Sequence, residues 1–195
     1  MHLVFATSLI PVVEPRSGYD IANRVIVDAL RSMGHRVSVI GFLQPGAEMA
    51  ERGDTMLLGE LEVTNAKVGP AQKLRWLASA LRRGEPVSVA KMHAASRSQV
   101  RQALASVEPF DGIVLNSVQL PGAFLDIFSP SPCLYVAHNV EAASAAQNAA
   151  GADSVVSRYL FAREARLLCE IETKLCDLAD YVFTLADADR AALGV

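Results

Sequence analysis

Short, continuous apolar runs alternate along this chain with segments whose apolar residues recur every three or four positions. The runs are Leu3 to Thr7, Arg36 to Phe42 (Val37, Val39, Ile40, Phe42), Ile113 to Leu115, Leu134 to Ala137 and Tyr181 to Phe183. Runs of this length predict strands buried on both faces. A further short strand is expected at Leu61 to Val63. Helical spacing appears in Ile21, Val25, Ala29, Leu30 and Met33, and in Leu74, Leu77, Ala78 and Leu81 of an amphipathic helix from Pro70 to Arg83. It recurs in Val100, Leu104 and Val107 within Met92 to Val107, and in Leu160, Leu168, Ile171, Leu175 and Leu178 within Ser154 to Ala179. On that last helix Arg166, Glu170 and Lys174 follow at spacing four on the solvated back. Ser17 with Asp20 resembles a capping box, Gly34 and Gly84 read as left-handed helix ends, and Thr184 with Asp187 suggests a final helix start. Strands alternating with helices, with no strong hairpin signal, predict a doubly wound, mostly parallel Rossmann-like α/β sheet with helices on both faces. No repeat, low-complexity tract or linker divides residues 1–195, so one domain is expected.

Composition narrows the classes of function. A hydrophobic share of 51% supports a large core. A formal net charge of -3 with mixed signs gives no basic footprint for nucleic acid. Cys133, Cys169 and Cys176 are odd in number and lack metal spacing. Cys169 and Cys176 lie two helical turns apart, about 10 Å along the axis, too far to bridge. That usage suits a reducing compartment. The opening MHLVFATSLI lacks a basic leader and is cut by Pro11, so it reads as a first strand and not a signal peptide. No apolar run is long enough to span a bilayer. A cytoplasmic setting follows as the expectation.

The residues that could carry chemistry sit where strands end. In CLYVAHNVE the apolar run stops at His138 and Asn139, and the run before it stops at Asn116. Ligands of open α/β sheets bind in the crevice outside the carboxyl ends of the strands. Glu141 falls in the first turn of the next helix, where a carboxylate is favoured. A long loop from Ser8 to Gly18, carrying Pro11 and Pro15, follows the first strand. It holds Gly18 alone, without the three spaced glycines of a dinucleotide-binding turn, which argues against a dehydrogenase. Plainer roles stand beside these: His138 as a strand terminator bonded to a neighbouring carbonyl, Asn116 and Asn139 as turn formers, Gly18 as relief of backbone strain. The helix with Lys73, Arg75, Trp76, Arg82 and Arg83 has two readings, an anionic membrane contact or a helix packed on the sheet with a charged outer face.

Three segments carry a family resemblance: SGYDIANRVIVDALRSMGHRVSVIGF from Ser17, HNVE from His138, and EIETKLCDLADYVFTLADADRAAL from Glu170. In order and spacing they are similar to the N-terminal domain of family 4 retaining glycosyltransferases of GT-B architecture, in which two Rossmann-like domains face each other across a cleft. The resemblance implies an N-terminal, mainly acceptor-side domain that works with its own C-terminal domain, which binds the nucleotide sugar and is expected outside this chain. On that basis Gly18 and Ser17 lie on the side of the donor diphosphate and sugar, and His138 points at the donor sugar as the catalytic-region residue. Tyr19, Asn116 and Asn139 are the substrate-binding candidates. No cofactor or metal is implied beyond the nucleotide-sugar donor, and the acceptor is a glycan or a lipid-linked molecule, with peripheral contact at the inner face of the membrane. The chain departs from the family in having Gly18-Tyr19 where a glycine pair is frequent and Ala186 where a serine is usual. Glu172 matches a recurrent family glutamate, with no chemistry assigned. Half a site is expected to be inactive alone. The alternatives are a non-catalytic doubly wound module for sugar or nucleotide sensing or protein interaction, and an epimerase of the same two-domain architecture.

Overall fold

Strand β1 (His2–Leu9) is followed by α1 (Gly18–Ser32) and β2 (Arg36–Leu43), and then by β3 (Thr55–Glu60). The chain continues through α2 (Pro70–Arg83), α3 (Val87–Ala90) and α4 (Arg97–Ala105) into β4 (Gly112–Asn116). Two short helices, α5 (Gln119–Ala123) and α6 (Leu125–Phe128), lead to β5 (Cys133–Ala137). After these come α7 (Glu141–Ala150), α8 (Val155–Leu178), β6 (Tyr181–Thr184) and α9 (Asp187–Leu193). The computed structural model describes residues 1–195, apart from the side chain of Ala66. Among the described residues the six strands form one sheet in the order β3-β2-β1-β4-β5-β6, each pair parallel. The fold is therefore Rossmann-like and doubly wound, as the alternation of runs and helical segments predicts.

Successive strand residues feed two separate cores, because side chains alternate across a pleated sheet. Phe5, Val37, Val39, Val114 and Val136 face α1, which contributes Val27, Ile26 and Leu30. Val4, Ala6, Ile40, Phe42, Ile113, Leu115 and Tyr135 face the other way, onto Val89, Val100, Leu120, Phe124, Phe128, Leu168 and Leu175 of α3 to α6 and α8. Two-sided burial is why these strands lack polar alternation. At the β6 edge the first face stays open, with Tyr181 and Phe183 exposed.

Several expectations need correction. The third strand is Thr55–Glu60 and not Leu61 to Val63. It carries the apolar run Met56-Leu57-Leu58, but as an edge strand it buries only Leu58, while Leu61 is buried just past its end. Apart from Leu30, the expected apolar stripe of α1 faces outward: Ile21 and Val25 are 54% and 59% exposed, and Asp20, Asn23 and Val27 face in. The polar inner face is tolerated because it has partners, among them the Leu9 carbonyl, which accepts from Asn23 Nδ2 at 2.8 Å. Helix α2 repeats the pattern. Leu74 and Leu81 are 67% and 53% exposed, whereas Trp76 and Ala80 are buried. Trp76 turns inward because its ring packs beneath the Lys91 ammonium, 4.3 Å from the ring centroid.

The segment from Met92 to Val107 contains a break, since Ser96 and Gln99 form a capping box that starts α4 at Arg97. Helix α9 begins at Asp187 with Ala186 as its N-cap, leaving Thr184 in β6. Gly34 takes φ +85° past the end of α1, the conformation expected of a left-handed cap. The three cysteines are free. Among the described residues no helix is long and apolar enough to cross a membrane.

Candidate functional site

The strand order reverses between β1 and β4, so the loops leaving these neighbours diverge and open a crevice above their carboxyl ends. The sheet register puts polar side chains at this level. Thr7 of β1 is the partner of Asn116 of β4, and β5 ends at Ala137, one residue before His138. Ser117, next after β4, has φ 65°. That left-handed conformation is uncommon for a residue with a side chain and is concentrated at functional turns.

These groups form one directed hydrogen-bond network, and its direction can be worked out from a fixed end. The Leu9 carbonyl only accepts, so the side-chain nitrogen of Asn23 points at it and the Asn23 oxygen points away. That oxygen accepts from Asn116 Nδ2 at 2.7 Å, which turns Asn116 Oδ1 toward His138 Nε2, 2.8 Å away. An amide oxygen cannot donate, so His138 Nε2 carries the proton and the lone pair of the neutral ring lies on Nδ1. Burial pushes the pKa of His138 down, favouring that neutral form. Tyr19 closes the group. Its hydroxyl lies 2.9 Å from Thr7 Oγ1 and 3.2 Å from Ser117 Oγ, and its ring packs on that of His138 at 4.8 Å between centroids.

A second arm of the network fixes the turn that bears His138. Gln119 Oε1 accepts from Ser117 Oγ at 2.6 Å and from Ser8 Oγ at 3.1 Å, and its Nε2 donates to Glu141 at 3.2 Å. Glu172, only 2% exposed on α8, accepts from the backbone N–H groups of Glu141 at 2.7 Å and Ala142 at 3.2 Å. It thereby caps α7 from another helix. Burial raises the pKa of both Glu141 and Glu172.

The residues expected to form a site separate into three groups. Tyr19, Asn116 and His138 come together directly. Ser17 is the N-cap of α1, accepting from Asp20 N at 3.1 Å, and Gly18 is the first helical residue beside Tyr19. No positive φ and no packing requires glycine at position 18, since a Cβ there would meet nothing within 4 Å. Asn139 stands apart: it is exposed and donates to Ser144 Oγ at 3.4 Å. In place of a strict capping box, Asp20 accepts from Arg16 N at 3.0 Å.

Next to this network lies a cleft of about 420 Å³, lined by Ser8, Arg16, Ser17, Tyr19, Lys67, Lys91 and Gln119 among others. Tyr19 belongs to both the cleft and the His138 cluster. Among the described residues no group of three or more His, Cys, Asp or Glu side chains could hold a metal ion.

No family model and no curated protein matches the chain.

Sequence reasoning missed Thr7, Asn23, Ser117, Gln119 and the three cleft bases. For Thr7 a signal was present, a polar residue closing an apolar strand as Asn116 does. For Asn23 it was a polar residue two turns before Leu30 on the helix face that turns inward.

Proposed function

We propose that this chain is the N-terminal, acceptor-side domain of a GT-B glycosyltransferase that moves a sugar from a nucleotide-sugar donor with retention of configuration. One observation carries the reading: the imidazole of His138, just past the end of β5, is held by Asn116 of β4 through Nε2 and packs on Tyr19, next to Gly18, beside the β1/β4 switch point of the sheet. Among the described residues Nδ1 of His138 has no hydrogen-bond partner, so it is available to accept from a sugar hydroxyl. In the reaction, the bond from the anomeric carbon to the diphosphate oxygen breaks, an acceptor hydroxyl bonds that carbon from the same face, and the hydroxyl proton passes to the departing diphosphate. The charge left on the diphosphate needs cationic or helix N-terminal stabilisation, which the proposal assigns to a facing domain. His138 then orients the donor sugar, Tyr19 and Asn116 hold His138, and the cleft takes the acceptor. The exposed stripe of Leu74 and Leu81, on a helix that also carries Lys73, Arg75, Arg82 and Arg83 and no acid, supports approach to an anionic bilayer and a lipid-linked acceptor.

The test is a screen of nucleotide sugars for transfer, using the protein together with whatever domain faces this one. His138→Ala is expected to lower turnover by about tenfold or more, the worth of one hydrogen bond strengthened in the transition state. Gly18→Ala separates ligand approach from folding. With open space around position 18 the variant should keep wild-type stability, and if the donor diphosphate passes over this turn its KM should rise. An unchanged KM would remove Gly18 from the site, and saturable sugar-nucleotide binding without turnover would favour a sensing module.

A further inference from the structure

We propose that the cleft beside the network binds a phosphate monoester group, with Arg16, Lys67 and Lys91 as its cationic wall. Under the transferase reading this makes the acceptor a phosphorylated molecule; the anion-binding claim itself does not depend on that reading.

The cleft gathers cations that have no carboxylate in close contact. Lys91 is 7% exposed, yet its ammonium meets only neutral partners: the Val63 carbonyl and Asn65 Oδ1, each at 2.7 Å, and the face of Trp76. Among the described residues no carboxylate comes within 4.0 Å of it. Glu164 and Glu62 act on it only from beyond that distance. A buried cation without a contacting counter-charge is costly, and an anion in the adjoining cleft would supply the close partner that the fold does not. Arg16 is similarly placed. Its guanidinium donates to the Gly46 carbonyl at 3.3 Å and pairs with no carboxylate among the described residues. Lys67 has Glu62 only at 4.0 Å, and Glu62 does not line the cleft.

The one acid on the lining is Asp20, whose carboxylate is already engaged by the Arg16 backbone N–H at 3.0 Å. Ser17, Thr64 and Ser88 also line the cleft, Ser17 Oγ accepting from Asp20 N at 3.1 Å and Ser88 Oγ donating to Glu164 at 3.4 Å. Three cations with several hydroxyl groups suit a dianion with three equivalent oxygens better than a carboxylate with two. A volume of about 420 Å³ accommodates a group the size of a sugar phosphate.

Calorimetric titration of the protein with inorganic phosphate tests the inference, with acetate as the carboxylate control. Saturable phosphate binding is expected, with acetate weaker, and with about tenfold or greater loss for each of Arg16→Ala and Lys67→Ala, whose side chains are exposed and whose loss spares the core. Lys91→Met should abolish binding; if that variant does not fold, the two surface variants decide. Phosphate binding that is absent, matched by acetate, or indifferent to Arg16→Ala and Lys67→Ala overturns the proposal. So does a nucleoside diphosphate that displaces phosphate and is weakened by the same substitutions, because the cleft would then hold the donor.

Soluble glycerol phosphate and vesicles containing phosphatidic acid distinguish the two sources of the ester. Displacement of phosphate by the soluble ester alone supports a free acceptor. Displacement also by vesicles, lost in Leu74→Ser/Leu81→Ser, supports one presented at a bilayer. Transfer to a neutral acceptor without phosphate binding would sink this inference and leave the transferase reading intact. Phosphate binding by a protein that transfers no sugar would do the reverse.

Discussion

Asn116→Leu is expected to lower the unfolding free energy by about 3 to 5 kcal/mol, because it leaves several buried groups unpaired at once. Asn116 is fully buried at the end of β4, and its amide serves Asn23, Thr7 and His138 together. A leucine fills similar space but offers none of these groups a partner. Urea denaturation measures the loss, and a change under about 1 kcal/mol would mean that the network is dispensable or bridged by water. The same residue allows a direct check of the proton's position. Long-range nitrogen correlations on the imidazole should show His138 protonated at Nε2, and a ring protonated at Nδ1 would contradict the chain of assignments that begins at the Leu9 carbonyl. Asn116→Asp reverses the electrostatics, since a carboxylate in place of the amide oxygen favours the imidazolium. The pKa of His138, depressed by burial in the native protein, should then move upward.

The network also shows what a sequence discloses and what it withholds. Strands such as Leu134 to Ala137 are legible because burial on both faces writes an uninterrupted apolar run, and the polar residue that ends the run marks the crevice. His138 and Asn116 stand out in that way. Helix faces were less legible. Apolar periodicity in α1 and α2 picks out Ile21, Val25, Leu74 and Leu81, yet these point to solvent, because the inward faces are occupied by groups with specific partners. Asn23 faces in to reach the Leu9 carbonyl and Asn116, and Trp76 to carry Lys91. Such pairings join positions far apart in sequence, so no local pattern reports them. β3 is hard to place for a simpler reason: its run Met56-Leu57-Leu58 is no more apolar than Leu61 to Val63 nearby, because an edge strand buries only one of these side chains. Glu172 is the extreme case, an acid on the buried stripe of α8 whose partners are two backbone N–H groups roughly thirty residues earlier.

Glu172→Ala is accordingly expected to release the start of α7, and with it the turn that carries His138. Two partly buried backbone donors lose their acceptor, a loss of about 2 to 3 kcal/mol. Hydrogen exchange gives a local readout. The amides of Glu141 and Ala142 should lose protection in the variant, while those of β1 and β4 fall only as far as the global stability does. Selective loss at Glu141 and Ala142 would identify the cap as the cause, and protection unchanged there would show that other contacts hold the turn.

The pH dependence follows from the direction of the shift. Burial raises the pKa of Glu172 above its ordinary value, so the protonated form is the one the folded chain accommodates more readily. The contribution is then full below the unfolded value, near pH 4.5, and is lost as pH rises through the higher folded value. Glu172→Gln keeps the shape and removes the titration, so the stability of the native protein relative to this variant should decline as pH rises above 4.5 through the raised folded value. A gap that instead widened with pH would mean that the two N–H bonds outweigh the cost of burying the charge, and that the cap is strongest as the anion.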